Sequence, residues 1–328
     1  MLPRSHAAGF YRMSQPYYFP PSPADPYRQE PVWPLPVFEP PVEREFTFGR
    51  ILLHLALLGL TILTTTGIGS LLFWSGYVDE IGTALSSGLL FSFTLLGILG
   101  AHEMGHYLAC RWYGVKATLP FFIPAPVGIG TFGAFIKIKS PIPHKKALFD
   151  IGIAGPLAGF LFAIPAVIVS LWFVQSAPPG ALMDGMIVFN DPPLFRLIER
   201  LMSLPREMEL NPIYLASWVG LLVTSLNLLP VGQLDGGHVV YAVFGEQRHR
   251  LIARVIWLSV VALAVFSVLR GGWYGWVIYA VLLTLMLRIG HPQVVEPDEP
   301  LGLERKIVAF IGLMVFLLCF TPFPITFL

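Results

Sequence analysis

Residues His102-Glu103-Met104-Gly105-His106 place two imidazoles and a carboxyl within five positions of a strongly apolar stretch. On a helix His102 and His106 are one turn apart, so their rings lie on one face and can share a metal ion. Glu103 sits about 100° round from His102. There its carboxylate can reach an attacking water rather than the metal, which is the placement a general base needs. Two packing histidines beside a glutamate are the plainer alternative. Three ionisable groups inside an apolar segment are costly, however, and mark function. Catalytic zinc takes three protein ligands and keeps one position open, so a third donor must come from elsewhere in the chain. Asp235, in Leu234-Asp235-Gly236-Gly237, offers one. An Asp-Gly-Gly run also makes a turn closing a helix, which is compatible with ligation. His238 is a further possible donor, although a surface position suits it better. Asn227 either hydrogen-bonds a neighbouring helix or steadies the oxyanion of a tetrahedral intermediate. Spacing leaves both roles open.

The elements that must position these groups belong in a membrane. Of the 328 residues 55% are hydrophobic, 13% aromatic and only 12% charged, with a mean hydropathy of +0.69. So few charges could not keep a globule of this size in water. A strongly basic nucleic-acid binder is excluded as well, because 21 Lys and Arg nearly balance 20 Asp and Glu. The two cysteines, Cys110 and Cys319, make no disulfide framework. Apolar stretches long enough to cross a bilayer fall at about 51–74, 82–111, 148–174, 212–231, 252–270, 273–289 and 306–323. The last is broken at its end by Pro322 and Pro324, and the sixth is short. The expected fold is an all-α polytopic membrane protein of about six or seven transmembrane helices.

With the amino terminus inside and the spans alternating, 17 Lys and Arg fall on the inner side. Arg196, Arg200, Arg206 and Arg270 fall outside. The positive-inside bias therefore puts the amino terminus in the cytoplasm. By the same parity His106 and Asp235, about 130 residues apart, reach the same leaflet, although the topology was set without them. The outer connection, about 175–211, is polar and holds a possible interfacial helix near Leu194–Leu204. The inner connection, about 113–147, is too apolar for a free loop. Phe135-Ile136-Lys137-Ile138-Lys139 within it alternates with period two, which argues for a strand. Non-helical backbone at membrane depth survives only where protein buries it or it lines a wet cavity. A small re-entrant β-hairpin beside a functional cavity meets both conditions.

Residues 1–45 hold 11 of the 30 prolines and eight aromatics, which suits an extended, flexible cytoplasmic tail. The tail has neither the apolar core of a secretory signal nor the composition of a transit peptide. By elimination this favours a prokaryotic plasma membrane. Residues 46–328 then form the membrane domain, with a catalytic core over about 82–245.

H-E-x-x-H in one span, followed by N-x-x-P-x-x-x-L-D-G in a later one, resembles the site-2 protease family of intramembrane zinc metalloproteases. The resemblance extends to Gly130–Pro141 and to Gly152-Ile153-Ala154-Gly155-Pro156-Leu157-Ala158-Gly159. It implies that His102, His106 and Asp235 hold Zn2+, that Glu103 activates water, and that Asn227 helps bind substrate or oxyanion. It further implies that a strand bearing Gly133, Phe135, Ile136 and Ile138 pairs with the unwound substrate. Many bacterial members carry a PDZ domain and others a CBS domain. Neither fits here, because no loop is long enough and the carboxy terminus ends in a span, so the compact form of the family is expected.

The expected activity is hydrolysis of a peptide bond in or near a transmembrane helix of a membrane-protein substrate. The partners are that substrate and the lipid bilayer, with no nucleic acid; oligomeric state is left open. A rival zinc peptidase with a glutamate as third ligand would have to use Glu199, Glu207 or Glu209, all on the outer side. A catalytically silent zinc-binding receptor or transporter is the alternative of a different class. It would have no need of Glu103, since a structural site requires no base.

Overall fold

The computed structural model describes residues 47–74, 76–77, 80–174, 187–204, 208–270, 273–290, 294–295 and 300–327. The tail expected over 1–45 lies outside them. Among the described residues the chain is mostly helical, with nine helices, one small antiparallel hairpin and one small antiparallel sheet of two strands remote in sequence.

The first two helices, α1 (Phe48–Leu72) and α2 (Ile81–Trp112), are both long and apolar. At about 1.5 Å per residue α2 reaches about 48 Å, more than the bilayer core of about 30 Å. The hairpin β1 (Phe121–Pro124) and β2 (Thr131–Phe135) follows, then α3 (Lys145–Trp172). His144 caps α3 by accepting the Ala147 amide, and Pro156 and Pro165 lie within the helix. Strand β3 (Ile187–Phe189) and the short helix α4 (Pro193–Met202) precede α5 (Pro212–Asn227). After a tight turn come α6 (Asp235–Phe244), α7 (Glu246–Leu269), α8 (Gly275–Ile289), α9 (Gly302–Cys319) and β4 (Ile325–Phe327).

Four helices, α1, α2, α3 and α7, are long and apolar enough to cross a membrane, while α5 and α8 are shorter apolar helices. The even series of seven spans is thus coarser in outline than the chain itself. The clearest difference lies at the fourth, expected over 212–231. Its helix stops at Asn227, because Pro230 lacks the amide that would bond to the Leu226 carbonyl. That carbonyl instead accepts the Leu229 amide at 3.3 Å and the Tyr279 hydroxyl of α8 at 2.9 Å. Asp235 therefore opens a new helix rather than ending an old one.

The core gathers around α2 and α3, which also pack against α5. Phe91, Leu95, Phe149, Leu148 and Leu221 are fully buried there. A second apolar cluster joins α7 and α8 to the turn after α5, through Val231, Leu229, Val260, Trp276 and Leu283. Large apolar side chains such as Leu63, Leu161, Trp172, Leu269 and Ile278 point outward, as lipid-facing positions do in a membrane protein.

The inner connection does form a hairpin, with Phe121 opposite Phe135 and Phe122 opposite Ala134. Its strand runs earlier than the Ile/Lys alternation suggested. Regular pairing ends at Phe135, and Ile138 makes only an isolated bridge to Ala117. The hairpin is fastened to α1, where Thr64 Oγ1 donates to the Gly130 carbonyl at 2.7 Å. The helix expected near Leu194–Leu204 is α4, which buries Leu194, Phe195 and Ile198. The second sheet, β3 with β4, has no counterpart in the sequence reading, because three-residue strands carry too little periodicity to register.

Candidate metal centre

His102 and His106 stand on the inward face of α2, both more than nine-tenths buried. Their positions depend on how closely α3 approaches. A Cβ at Gly155 would lie 2.1 Å from His106 Nε2, and one at Gly159 would lie 3.1 Å from the His102 Cβ. The glycines anticipated as packing residues thus leave the space in which the imidazoles lie. Gly105 does the same from α2, where a Cβ would meet the Ala154 carbonyl at 2.5 Å.

Asp235 reaches the same point from the first turn of α6. Its Oδ2 is 3.1 Å from His102 Nε2, and its Oδ1 is 3.3 Å from His106 Nε2. The two Nε2 atoms are 3.2 Å apart. One donor atom from each of the three residues lies within 4.8 Å of the others. The turn that delivers Asp235 is tight: a Cβ at Gly236 would lie 1.9 Å from the Leu228 carbonyl.

The donor set fits zinc, and one further contact shows how. His106 Nδ1 donates to the Ile151 carbonyl at 2.6 Å. That bond puts the ring proton on Nδ1 and leaves the Nε2 lone pair facing His102 and Asp235, as a metal-ligating histidine requires. Asn227, at the end of α5, extends its amide to within 3.4 Å of His102 Nε2. Glu103 is buried on the adjacent face of α2, and the backbone of Ile136 approaches it. The site thus unites His102, Glu103, His106, Asn227 and Asp235, with Ile136 at its edge. Gly133 and Phe135 lie on β2, and Phe135 is exposed, as is Ile138 beyond the strand.

Three anticipated donors fall elsewhere. His238 is not part of the metal cluster; it is half-buried against Gly152 rather than at the surface. Glu199 and Glu209 are likewise outside the cluster, and Glu207 lies beyond the described residues. The Ile151 carbonyl escaped the sequence reading, since a backbone acceptor has no residue-type signature.

The profile of peptidase family M50 matches residues 90–269. The chain belongs to that family, the family of the site-2 proteases. A probable zinc metalloprotease of Arabidopsis thaliana chloroplasts (EGY2) is 29% identical over 253 residues, covering 74% of this chain and 43% of that one. A second probable zinc metalloprotease, chloroplastic EGY1 of Oryza sativa subsp. japonica, is 38% identical over 171 residues, or 49% and 29% of the two chains. The chain spans less than half the length of these curated relatives. Among solved structures, the site-2 protease from Methanocaldococcus jannaschii aligns with a TM-score of 0.39 and 20% identity, covering 73% of this chain and 89% of that one. The M50 match includes every member of the metal centre, and with it the multi-pass helices that hold the centre within the apolar part of the molecule.

Proposed function

We propose that this protein is an intramembrane zinc endopeptidase that cleaves a peptide bond in or near a transmembrane helix of another membrane protein. The observation carrying this reading is the convergence of His102, His106 and Asp235 beside a buried carboxyl, Glu103, that lies outside the metal cluster. A merely structural metal site leaves that carboxyl without a purpose, which weighs against the silent receptor or transporter.

Zinc held by His102, His106 and Asp235 would supply Lewis acidity to the scissile carbonyl and to the attacking water. Glu103 accepts a proton from that water and returns it to the leaving amine. Asn227 directs its amide toward the oxyanion that develops at the carbonyl carbon. A helical substrate hides its carbonyls in backbone hydrogen bonds, so it must unwind before attack. The two-stranded sheet leaves an edge of β2 without a strand partner among the described residues. Strand addition along Gly133, Phe135, Ile136 and Ile138 gives the freed backbone new partners. Because Ile136 approaches Glu103, a substrate strand on that edge enters the site in register with the base.

The Lys and Arg distribution supports a cytoplasmic amino terminus and a site near the cytoplasmic face, and the composition of residues 1–45, unlike that of a secretory signal or a transit peptide, supports residence in a prokaryotic plasma membrane. The test is reconstitution with single-span reporter substrates and mapping of the fragments. Zinc-dependent cleavage within or beside the span is expected. Stoichiometric zinc with no cleavage of any reporter would favour the receptor reading.

A further inference from the structure

At the end of α7 nearest the Asp235 turn lies a cavity of about 380 Å3, walled by α7, by the last turn of α8 and by Gly232. Arg250 and Arg254 line it one helical turn apart, so both guanidinium groups serve the same mouth. Glu246 also lines it and pairs with Arg250 at 3.2 Å, leaving the mouth with one excess positive charge. Arg254 has no ion-pair partner among the described residues. An unpaired arginine one turn further into a membrane-crossing helix invites an anion.

The surroundings specify what kind of anion. Leu251 and Leu258 lie within about 60° of Arg254 on the helix and are 63% and 58% exposed. On the α8 side Leu285 and Ile289 are 51% and 74% exposed. A charged mouth between two helices that also carry exposed apolar side chains matches an amphiphile with an anionic head and acyl chains. We infer that this cavity is a binding site for an anionic phospholipid, its phosphate held by Arg254 and Arg250 and its chains lying along Leu251, Leu258, Leu285 and Ile289.

The headgroup would also brace the catalytic turn. A Cβ at Gly232 would meet the Met286 Cβ at 2.8 Å, and Gln233 Nε2 donates to the Gly290 carbonyl at 3.2 Å. The turn that carries Asp235 therefore rests on the end of α8 that forms the cavity wall. A lipid clamping α7 to α8 holds that support in place.

The test is extraction of the full chain from mixed phosphatidylcholine and phosphatidylglycerol vesicles, followed by native mass spectrometry. Retained phosphatidylglycerol is expected to exceed phosphatidylcholine by about tenfold or more. That preference disappears in R250Q/R254Q and persists in part in R250K/R254K, with zinc content unchanged in both variants. Equal retention of the two lipids, or a full preference in R250Q/R254Q, overturns the site. Inorganic phosphate that strips the bound phosphatidylglycerol at millimolar levels overturns the lipid as occupant, because a chain-held amphiphile resists a free anion. Hydrogen exchange over residues 228–234 tests the brace. Exchange slows with phosphatidylglycerol in the native chain and not in R250Q/R254Q, and identical exchange in both overturns it.

Discussion

His106 and Ile151 are joined by a hydrogen bond of 2.6 Å from the imidazole Nδ1 to the backbone carbonyl. The contact ties the metal face of α2 to α3 and sets which ring nitrogen is free for a metal. The preceding residue, Asp150, is clamped in turn. Arg305 of α9 donates to both of its carboxylate oxygens, at 3.0 and 2.7 Å, and Tyr113 at the end of α2 donates to it as well. Three helices thus meet one residue away from a ligand's anchor.

Replacing Glu103 with Gln removes the base while keeping the shape of the side chain. Zinc content should stay near that of the native protein, and the cleavage rate should fall by about 10²- to 10⁴-fold. Metal analysis beside a reporter-cleavage assay checks both. A zinc-loaded variant with native activity would sink the assignment of Glu103.

Asn227→Ala separates oxyanion stabilisation from ligation. If the amide acts on the developing charge, kcat falls by about 10²- to 10³-fold while zinc is retained. Loss of zinc with a proportionate loss of activity would instead make Asn227 a support for His102, from which its amide is 3.4 Å distant.

Gly155→Ala and Gly159→Ala should differ although both lie on α3. The first drives a Cβ to 2.1 Å from His106 Nε2, so the ring must leave its place. Zinc affinity is expected to drop by about 10- to 100-fold, the range seen when a ligand's support is lost. The second meets His102 at 3.1 Å, which a small shift of the helix accommodates. Equilibrium zinc titration of the two purified variants measures the contrast, and equal affinities would contradict it.

Proline at Ile138 probes the substrate strand, whereas Ile136 is kept because its backbone N–H bonds Glu103. Proline removes a backbone donor and disfavours strand pairing. Cleavage should fall about tenfold or more with zinc unchanged if the substrate adds to this edge. Unaltered cleavage by Ile138→Pro would remove strand addition from the mechanism.

Arg305→Ala removes the clamp on Asp150, where the side chains are 25% and 29% exposed. Loss of these charge-assisted bonds should cost about 1.5–3 kcal/mol. A lower thermal midpoint in detergent reads this, and Arg305→Lys should lose less because it keeps the charge without the fork. An unchanged midpoint in Arg305→Ala would show the clamp to be idle.

The two histidines of the metal centre were legible from residue type and spacing, while Asp235 was only a candidate until the family resemblance singled it out. Ionisable groups are so scarce in this chain that His102, Glu103 and His106 stand out from their apolar surroundings. The long helices were legible for the same reason, since a run of apolar residues fixes length and lipid exposure without reference to neighbours. Other features depended on contacts between segments remote in sequence. The break after Asn227 could be read from Pro230, yet only the packing of α8 shows that the Tyr279 hydroxyl shares the Leu226 carbonyl with the local Leu229 amide. The tautomer of His106 rests on a backbone carbonyl 45 residues away, and the space for its ring rests on Gly155. Pattern along the chain therefore determined which groups could do chemistry and in what solvent. Tertiary structure alone decided their distances, their protonation geometry and the approach of the Ile136 backbone to Glu103, because those quantities arise where segments remote in sequence meet.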